Sequence, residues 1–395
     1  MIPVAEATAR ITAAFKPLNA ETVAIADAAG RVLAADAVAR ATQPPDDVSS
    51  MDGYAVRAED ATAGAVLNVI GTSPAGHPFE GVVGAGQTVR IFTGGVMPKG
   101  ADAIVIQEDT AADGIRVMIN ETARKGRHIR LAGLDFKTGD AIAPKGRRLS
   151  ARDVSLLAAA DLANISVVRR PRVAIAATGD ELSRPGDPRK PGGIVASSGY
   201  GLSAMIAQWG GEAIDLGILP DTMDAVASIA AKAKGADLIV TIGGASVGDH
   251  DLVQKALGPE GFTLDFWKIA MRPGKPLIFG RLGDTPLIGL PGNPVSTLVC
   301  ALLFIKPAVA AMLGTDTTSA TLTAKLARDL RENDIRQDYI RAQLAIRDGE
   351  RWIDPFPVQD SSMQSTLARA DALVIRVPRA PAARAGEPVA YLPLD

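Results

Sequence analysis

Between residues 171 and 314 short, uninterrupted apolar runs alternate with helical patterns, and this rhythm constrains the chain more than any other feature. Residues 173–177 read as a continuously apolar strand, and similar runs follow at 213–219, 237–242 and 286–290. Helical patterns separate them near 201–209 and at 223–233, and a further helix is expected from Ser296. Strands without polar alternation are buried on both faces, and strand–helix alternation builds a parallel sheet covered by helices on both sides. Ligands of such doubly wound sheets bind at the carboxyl ends of the strands.

Three of these strands end in unusual loops. They read Thr178-Gly179-Asp180-Glu181-Leu182, then Gly243-Gly244-Ala245-Ser246-Val247-Gly248-Asp249-His250-Asp251, then Pro291-Gly292-Asn293-Pro294-Val295-Ser296. Glycine lets backbone approach a ligand closely, and backbone N–H groups can then hold a phosphate. The carboxylates could hold a divalent cation bridging phosphate oxygens, since Mg²⁺ takes only one or two protein carboxylates. One such loop alone is ordinarily a turn, and Asp180, Asp249 and Asp251 alone read equally well as solvated caps. Three such loops at equivalent ends of one sheet would converge on one place, which isolated turns do not. Neither the dinucleotide fingerprint nor the Walker motif is present. Met271-Arg272-Pro273-Gly274-Lys275-Pro276 sets two cations around a turn. Arg272 could grip an oxyanion in bidentate fashion beside the point charge of Lys275, or both could be solvated.

The flanking segments differ in character. Residues 49–142 alternate short β-rich runs (65–70, 88–91, 104–107, 115–119) with Gly/Pro turns, giving a small inserted β-domain that opens after Gln43-Pro44-Pro45-Asp46-Asp47. Residues 1–48 and 143–170 are Ala-rich and are expected to form one helical, elongated domain, with Ser150 capping a helix to about Asp161. Residues 171–314 form the α/β domain. Residues 315–395 carry short strands (320–324, 339–347, 372–377, 388–392) and read as a terminal β-barrel. Within them Arg341 reads by default as an exposed strand charge.

Several function classes are excluded. With 42 Lys+Arg against 44 Asp+Glu the chain lacks the basic footprint of a nucleic-acid binder. Cys300 is the only cysteine and only three histidines occur, so disulfide frameworks, thiolate zinc clusters and His-based nucleophilic pairs are not expected. Residues 1–15 show no apolar core of an export signal, and the apolar run 298–305 is short of a bilayer span. A cytoplasmic protein without membrane association is expected.

Taken in order, the strings resemble the molybdopterin molybdenumtransferase family, which includes bacterial MoeA and the E domain of gephyrin. The matching strings are Ser50-Met51-Asp52-Gly53-Tyr54-Ala55, Thr93-Gly94-Gly95 through Gly100-Ala101-Asp102, the Thr178 loop, the Gly243 loop through Asp251, Pro273-Gly274-Lys275-Pro276, and Gly289-Leu290 through Ser296. The resemblance implies that adenylylated molybdopterin and molybdate give molybdenum cofactor and AMP, with Mg²⁺ or a similar cation. It implies a homodimer whose site is shared between subunits. Asp52 and Thr93 would reach across the dimer. Glu181, Asp221 and Asp251 would serve the ligand or the metal, with Asp52, Thr93, Glu181 and Asp251 as the catalytic set. Gly243, Gly244 and Ser246 would bind the pterin nucleotide. Arg272, Lys275, Ser296, Arg341 and Ser361 would cradle molybdate, and Pro291 and Pro294 would shape the loop before the last helix. Implied partners are a molybdopterin adenylyltransferase and recipient molybdoenzymes. Two positions depart from the family pattern: Ala196-Ser197-Ser198 replaces Asp-[Ser/Thr]-Asn, and Ile242 replaces a hydroxyl before Gly243. A molybdopterin adenylyltransferase and a gephyrin-like scaffold are the alternative readings.

Overall fold

The structure is a computed structural model that describes residues 1–244, 250–318 and 320–394, with the side chains of His250 and Asp251 outside the description. It divides into two compact units, Thr22–Val167 and Met1–Glu21 with Val168–Asp395.

The first helix, α1 (Val4–Ala13), belongs to the second unit. Its spacing buries Val4, Ala7 and Ile11 on one stripe, and the chain after it is tied by Leu18 N–H to Met312 O at 2.8 Å. The expected grouping of residues 1–48 with 143–170 therefore differs from the structure at its start. The apolar stripe of α1 finds its partner near the end of the α/β domain.

Unit Thr22–Val167 contains a six-stranded sheet. Its strands are β1 (Gly53–Val56), β2 (Val66–Ser73), β3 (Gln87–Ile91), β4 (Ala103–Ile106), β5 (Thr110–Asp113) and β6 (Arg116–Ile119), in spatial order β4-β1-β3-β2-β6-β5. All four residues of β1 are buried, and Tyr54, Val56, Leu67, Val105 and Val117 share one core. A second core gathers Leu33, Phe136, Leu149, Leu157 and Val167 around α2 (Ala151–Ala159). Ser150 caps α2 as its sequence announces. Its Oγ accepts from Asp153 N–H, and Asp153 accepts from Ser150 N–H at 2.8 Å.

In the other unit the α/β sheet is built from β7 (Arg172–Thr178), β8 (Glu212–Leu219), β9 (Leu238–Ile242), β10 (Phe262–Trp267), β11 (Ile278–Leu282) and β12 (Thr285–Leu290). The order is β8-β7-β9-β12-β11-β10, with the first four parallel and the last two antiparallel. The expected parallel sheet is there in its first four strands, and an antiparallel pair extends it at one edge. Gly283 (φ 58°) and Asp284 form the two-residue turn that folds β12 back on β11, and this turn chemistry dictates a hairpin. Helix α3 (Ser198–Gln208) packs on β7 and β8. The expected helix at 223–233 is two short ones, α4 (Met223–Ala227) and α5 (Ile229–Lys232), broken where Ser228 Oγ donates to Ala225 O at 2.6 Å. Both contribute to the core beneath Ala174, Ile239 and Leu287, and α4 packs on α6 (His250–Leu257).

Helix α7 (Pro294–Leu313) is long and apolar enough to cross a membrane, but 78% of its most apolar 18-residue stretch is buried, the packing of a core helix. It widens to a π-turn over Ala301–Ile305 just before Pro307. Proline has no N–H to return to the preceding turn, so the helix opens there. The chain ends in a closed five-stranded barrel. Its strands are β13 (Leu322–Leu326), β14 (Gln337–Arg347), β15 (Glu350–Pro355), β16 (Ala372–Arg376) and β17 (Pro388–Pro393), ordered β14-β15-β13-β17-β16 with β16 closing on β14. A short helix, α8 (Gln364–Ala368), precedes β16.

Candidate active site

The carboxyl ends of β7, β9 and β12 meet beneath a cleft of about 870 Å³. Gly243 joins them: its N–H donates to Leu290 O at 3.1 Å, and a Cβ there would lie 2.6 Å from Thr178 O. With φ at 96° as well, only glycine fits. The β12 loop is fixed from within. Thr297 Oγ1 donates to Pro291 O at 2.6 Å and to Asn293 O at 3.0 Å, which sets the prolines at the cleft wall.

Of the expected residues, Glu181, Asp221, Gly243, Gly244, Pro291 and Pro294 line this cleft together. Gly179 leaves room for Glu181, since a Cβ at 179 would fall 2.6 Å from its carboxylate. Asp221 N–H donates to Asp180 Oδ1 at 3.3 Å, which ties two strand ends. Arg189 and Gln364 also line the cleft and escaped the sequence reading, and Ser197 of the departing Ala196-Ser197-Ser198 string lines it with them. Gln364 Nε2 donates to Ser197 Oγ at 2.9 Å, joining the helix after the barrel loop to the start of α3. The departures Ala196 and Ile242 both face the cleft and make that part of its wall apolar. Ser246 lies outside the described residues, as does the side chain of Asp251.

The expected molybdate residues lie in the same unit but are not among those lining this cleft. The short strand Met271–Arg272 runs beside β14, whose Arg341 lies four residues beyond Gln337. Val295 N–H donates to Ser361 O at 3.1 Å, so the barrel loop docks beside Ser296, which is buried. Arg341 is only 1% exposed, not a solvated strand charge. Its N–H and Nε donate to Gln359 Oε1 at 3.0 and 3.2 Å, and Nη1 donates to Met363 O at 3.2 Å. Burial pushes its guanidinium pKa down, opposed by the charge of Asp360. Arg272 is engaged by Asp338: Nε donates to Oδ1 at 2.9 Å and Nη2 pairs with Oδ2. That bidentate pair raises the Arg272 pKa and occupies the fork the sequence offered to an oxyanion. Arg272 instead faces a second cleft of about 460 Å³ with Tyr339, Gln359 and Arg376. Lys275 is exposed, and its carbonyl accepts from Ile269 N–H at 3.0 Å. Ser362, rather than Ser361, lines the larger cleft.

Asp52 and Thr93 lie in unit Thr22–Val167. Gly53 follows Asp52 because a Cβ there would sit 2.1 Å from Val105 O. Asp52 Oδ1 accepts from Thr93 N–H at 2.7 Å and from Thr93 Oγ1 at 2.8 Å. These two bonds, with the nearby charge of Arg90, hold the carboxyl pKa below its ordinary value. Arg90 is anchored by Gly53 O at 3.2 Å and lies 5.0 Å from the Tyr54 and Phe92 ring centroids.

Among the described residues no group of three or more His, Cys, Asp or Glu side chains converges as a metal cage. Two carboxylates in one cleft suit a cation completed by substrate oxygens.

A strand-end cleft on an α/β domain, carried in one chain with a β-rich unit and a terminal barrel, defines a multidomain α/β protein with a ligand site at its strand ends. The matching family models are the MoeA N-terminal region (domain I and II) over residues 2–160, a probable molybdopterin binding domain over 174–311, and the MoeA C-terminal region (domain IV) over 323–394. A molybdopterin molybdenumtransferase of Nostoc sp. is 37% identical over 84% of this chain and 78% of its own length. One of Bacillus subtilis is 34% identical over 95% and 90%. A crystal structure of a Pyrococcus horikoshii molybdopterin biosynthesis MoeA protein covers 100% of this chain and 99% of its own, with 29% identity and a TM-score of 0.86. The chain belongs to the molybdopterin molybdenumtransferase family, as the ordered loops led us to expect.

Proposed function

We propose that the protein is a cytoplasmic transferase that inserts molybdate into adenylylated molybdopterin and releases AMP. The observation that carries this reading is the single cleft in which Glu181 and Asp221 face the glycine-rich ends of β9 and β12. The leaving group is already activated by adenylylation, so no strong nucleophile is required of the chain. Positioning and charge neutralisation supply the catalysis.

In this reading Gly243 and Gly244 admit the pterin nucleotide against bare backbone, and Glu181 and Asp221, with Asp251, would hold Mg²⁺. That cation would neutralise charge on the phosphoanhydride as it breaks. Lys275, Ser296, Arg341 and Ser361 would receive molybdate, while Arg272 positions the Pro273-Gly274 turn through Asp338. Asp52 and Thr93 would come from a second copy of the chain in a homodimer. A molybdopterin adenylyltransferase would supply the substrate, and molybdoenzymes would take the product.

The test supplies purified protein with adenylylated molybdopterin, Mg²⁺ and molybdate and follows AMP. Release that depends on molybdate is expected. Molybdate-independent release, or adenylylation of molybdopterin from ATP by this chain alone, would overturn the assignment.

A further inference from the structure

The terminal barrel has a charged mouth. Along β14 and β16 the inward-facing rows run in register: Ala342 stands opposite Ala372 and Ile340 opposite Val374, in or against the barrel core. Two residues further on, with the same facing, Asp338 stands opposite Arg376. Both line the cleft of about 460 Å³ that Arg272 faces, as does Leu330, which packs against the barrel core. Mouths of β-barrels are recurrent ligand sites.

Asp338 and Arg376 are 6% and 7% exposed, yet they do not neutralise each other. Arg272 takes both oxygens of Asp338. Arg376 Nη2 donates to Arg331 O at 3.3 Å and to Pro381 O, and among the described residues no carboxylate pairs with Arg376. Its Nε and Nη1 make no hydrogen bond among them either, and neither atom is sealed from solvent. A buried guanidinium without an opposite charge is costly. Stapling the two carbonyls uses Nη2 alone and does not account for the rest of the fork.

The other charges around the cleft are largely spent. Arg328 Nη2 donates to Asp354 Oδ2 at 2.7 Å, and Asp329 accepts from Ala385 N–H at 2.8 Å and from Arg384 Nη1 at 3.5 Å. Arg331 and Glu332 also line the cleft, and both are exposed. Together with Arg376 they leave an excess of positive charge.

We propose that the barrel mouth is an oxyanion site, where the unspent N–H groups of Arg376 donate to a phosphate-class ion and Arg331 adds its charge. Nε and Nη1 point from different edges of the guanidinium. That suits a tetrahedral acceptor with oxygens in several directions better than a planar carboxylate. The two clefts share no lining residue, so the inference does not depend on the nucleotide reading of the strand-end cleft.

Calorimetric titration of inorganic phosphate into the full chain tests the proposal, with wild type, Arg376→Gln, Arg331→Gln, Glu332→Gln and Arg189→Gln compared and the thermal unfolding of each recorded. Arg376→Gln should weaken phosphate binding about tenfold or more, and Arg331→Gln about threefold. Glu332→Gln should tighten it about threefold, because a like charge has left the cleft. Arg189→Gln, in the strand-end cleft, should bind phosphate as wild type does. If Arg376→Gln unfolds early, the two exposed positions decide: opposite shifts of affinity in Arg331→Gln and Glu332→Gln support the site, and unchanged affinity in both overturns it. Wild type that takes up no phosphate at millimolar concentration also overturns it. So does binding lost in Arg189→Gln alone, which would put the ion in the strand-end cleft.

Discussion

Thr93 gives both its N–H and its hydroxyl to one carboxylate oxygen of Asp52, at 2.7 and 2.8 Å. The pair keeps Asp52 ionised further into acid than an ordinary carboxylate, by stabilising the charged form. Because the folded pKa is depressed, the stabilisation is present above the unfolded value and is lost as pH falls through the folded one. Thr93→Val removes the side-chain bond and keeps the backbone one. The Asp52 carboxyl, followed by NMR titration, should therefore move up toward its ordinary value, and the acid limb of any Asp52-dependent activity should move up with it. An unchanged titration would show that the backbone bond alone sets the charge.

If Asp52 and Glu181 serve one site from two copies, their variants should complement each other. Asp52→Ala and Glu181→Ala should each lose activity on the order of a hundredfold. In a mixed dimer one of the two sites holds both lesions and the other holds neither, so statistical mixing should restore about a quarter of wild-type activity. No recovery on mixing, with exchange of subunits verified by tagged copies, would place both residues in one chain's site or in none.

Much of this arrangement was legible in the sequence, for identifiable reasons. Strands β7, β9 and β12 are uninterrupted apolar runs, and burial on both faces leaves them no other pattern. The start of α2 was announced by Ser150 and Asp153, whose chemistry is local. The β11–β12 hairpin was equally local, in Gly283-Asp284, but the strand–helix rhythm around it argued for parallel strands. Long-range partners left no local trace. Arg341 is buried because Gln359, 18 residues away, meets its charge, and Arg272 is occupied because Asp338 lies opposite it in register. The cleft residues Arg189 and Gln364 sit in segments whose composition is that of ordinary loops.

The capping box of α2 sets a second acid-sensitive contribution. Asp153 accepts from Ser150 N–H and Oγ at 2.8 and 2.7 Å and is paired with Arg147, which together bring its carboxyl down to about 2 from 3.8. The stabilisation is therefore complete above about pH 4 and fades as pH falls through the folded value. Ser150→Ala should lower the unfolding free energy by about 1 kcal/mol at neutral pH. The loss should shrink toward pH 2, where wild type loses the same contact. Chemical denaturation at the two pH values checks both statements.

Cys300 illustrates a thiol kept for its shape. It is buried on α7, burial pushes its pKa up, and a Cβ at Gly274 would come within 2.4 Å of its sulfur. A buried, protonated thiol is a poor nucleophile. A thiol-specific reagent should label no cysteine in the native protein and one per chain after denaturation. Gly274→Ala should destabilise the fold by about 2 kcal/mol or more, since the position is also left-handed with φ at 108°. It should also displace the Pro273-Gly274-Lys275 turn. Native labelling at the unfolded rate would show that the α7 packing opens readily.

Lys275 and Arg341 separate anion binding from architecture. Lys275 is exposed and its bond to Ile269 N–H is made by the backbone carbonyl, so Lys275→Gln leaves that bond of the turn intact. If its ammonium meets molybdate, the variant should need on the order of tenfold more molybdate for half-maximal AMP release. Its apparent affinity for adenylylated molybdopterin at saturating molybdate should hold. Arg341→Ala differs in kind. It removes the side-chain donors to Gln359 Oε1 and Met363 O, which keep the residue 341 N–H and the Leu367 N–H, and it empties a buried space, so it should reduce stability by about 2–4 kcal/mol whatever its part in catalysis. Arg341→Lys retains charge but loses the planar fork, and should fall between the two. A molybdate requirement unchanged in Lys275→Gln would move the oxyanion away from the Gly274 turn, toward the buried Ser296 or Arg341.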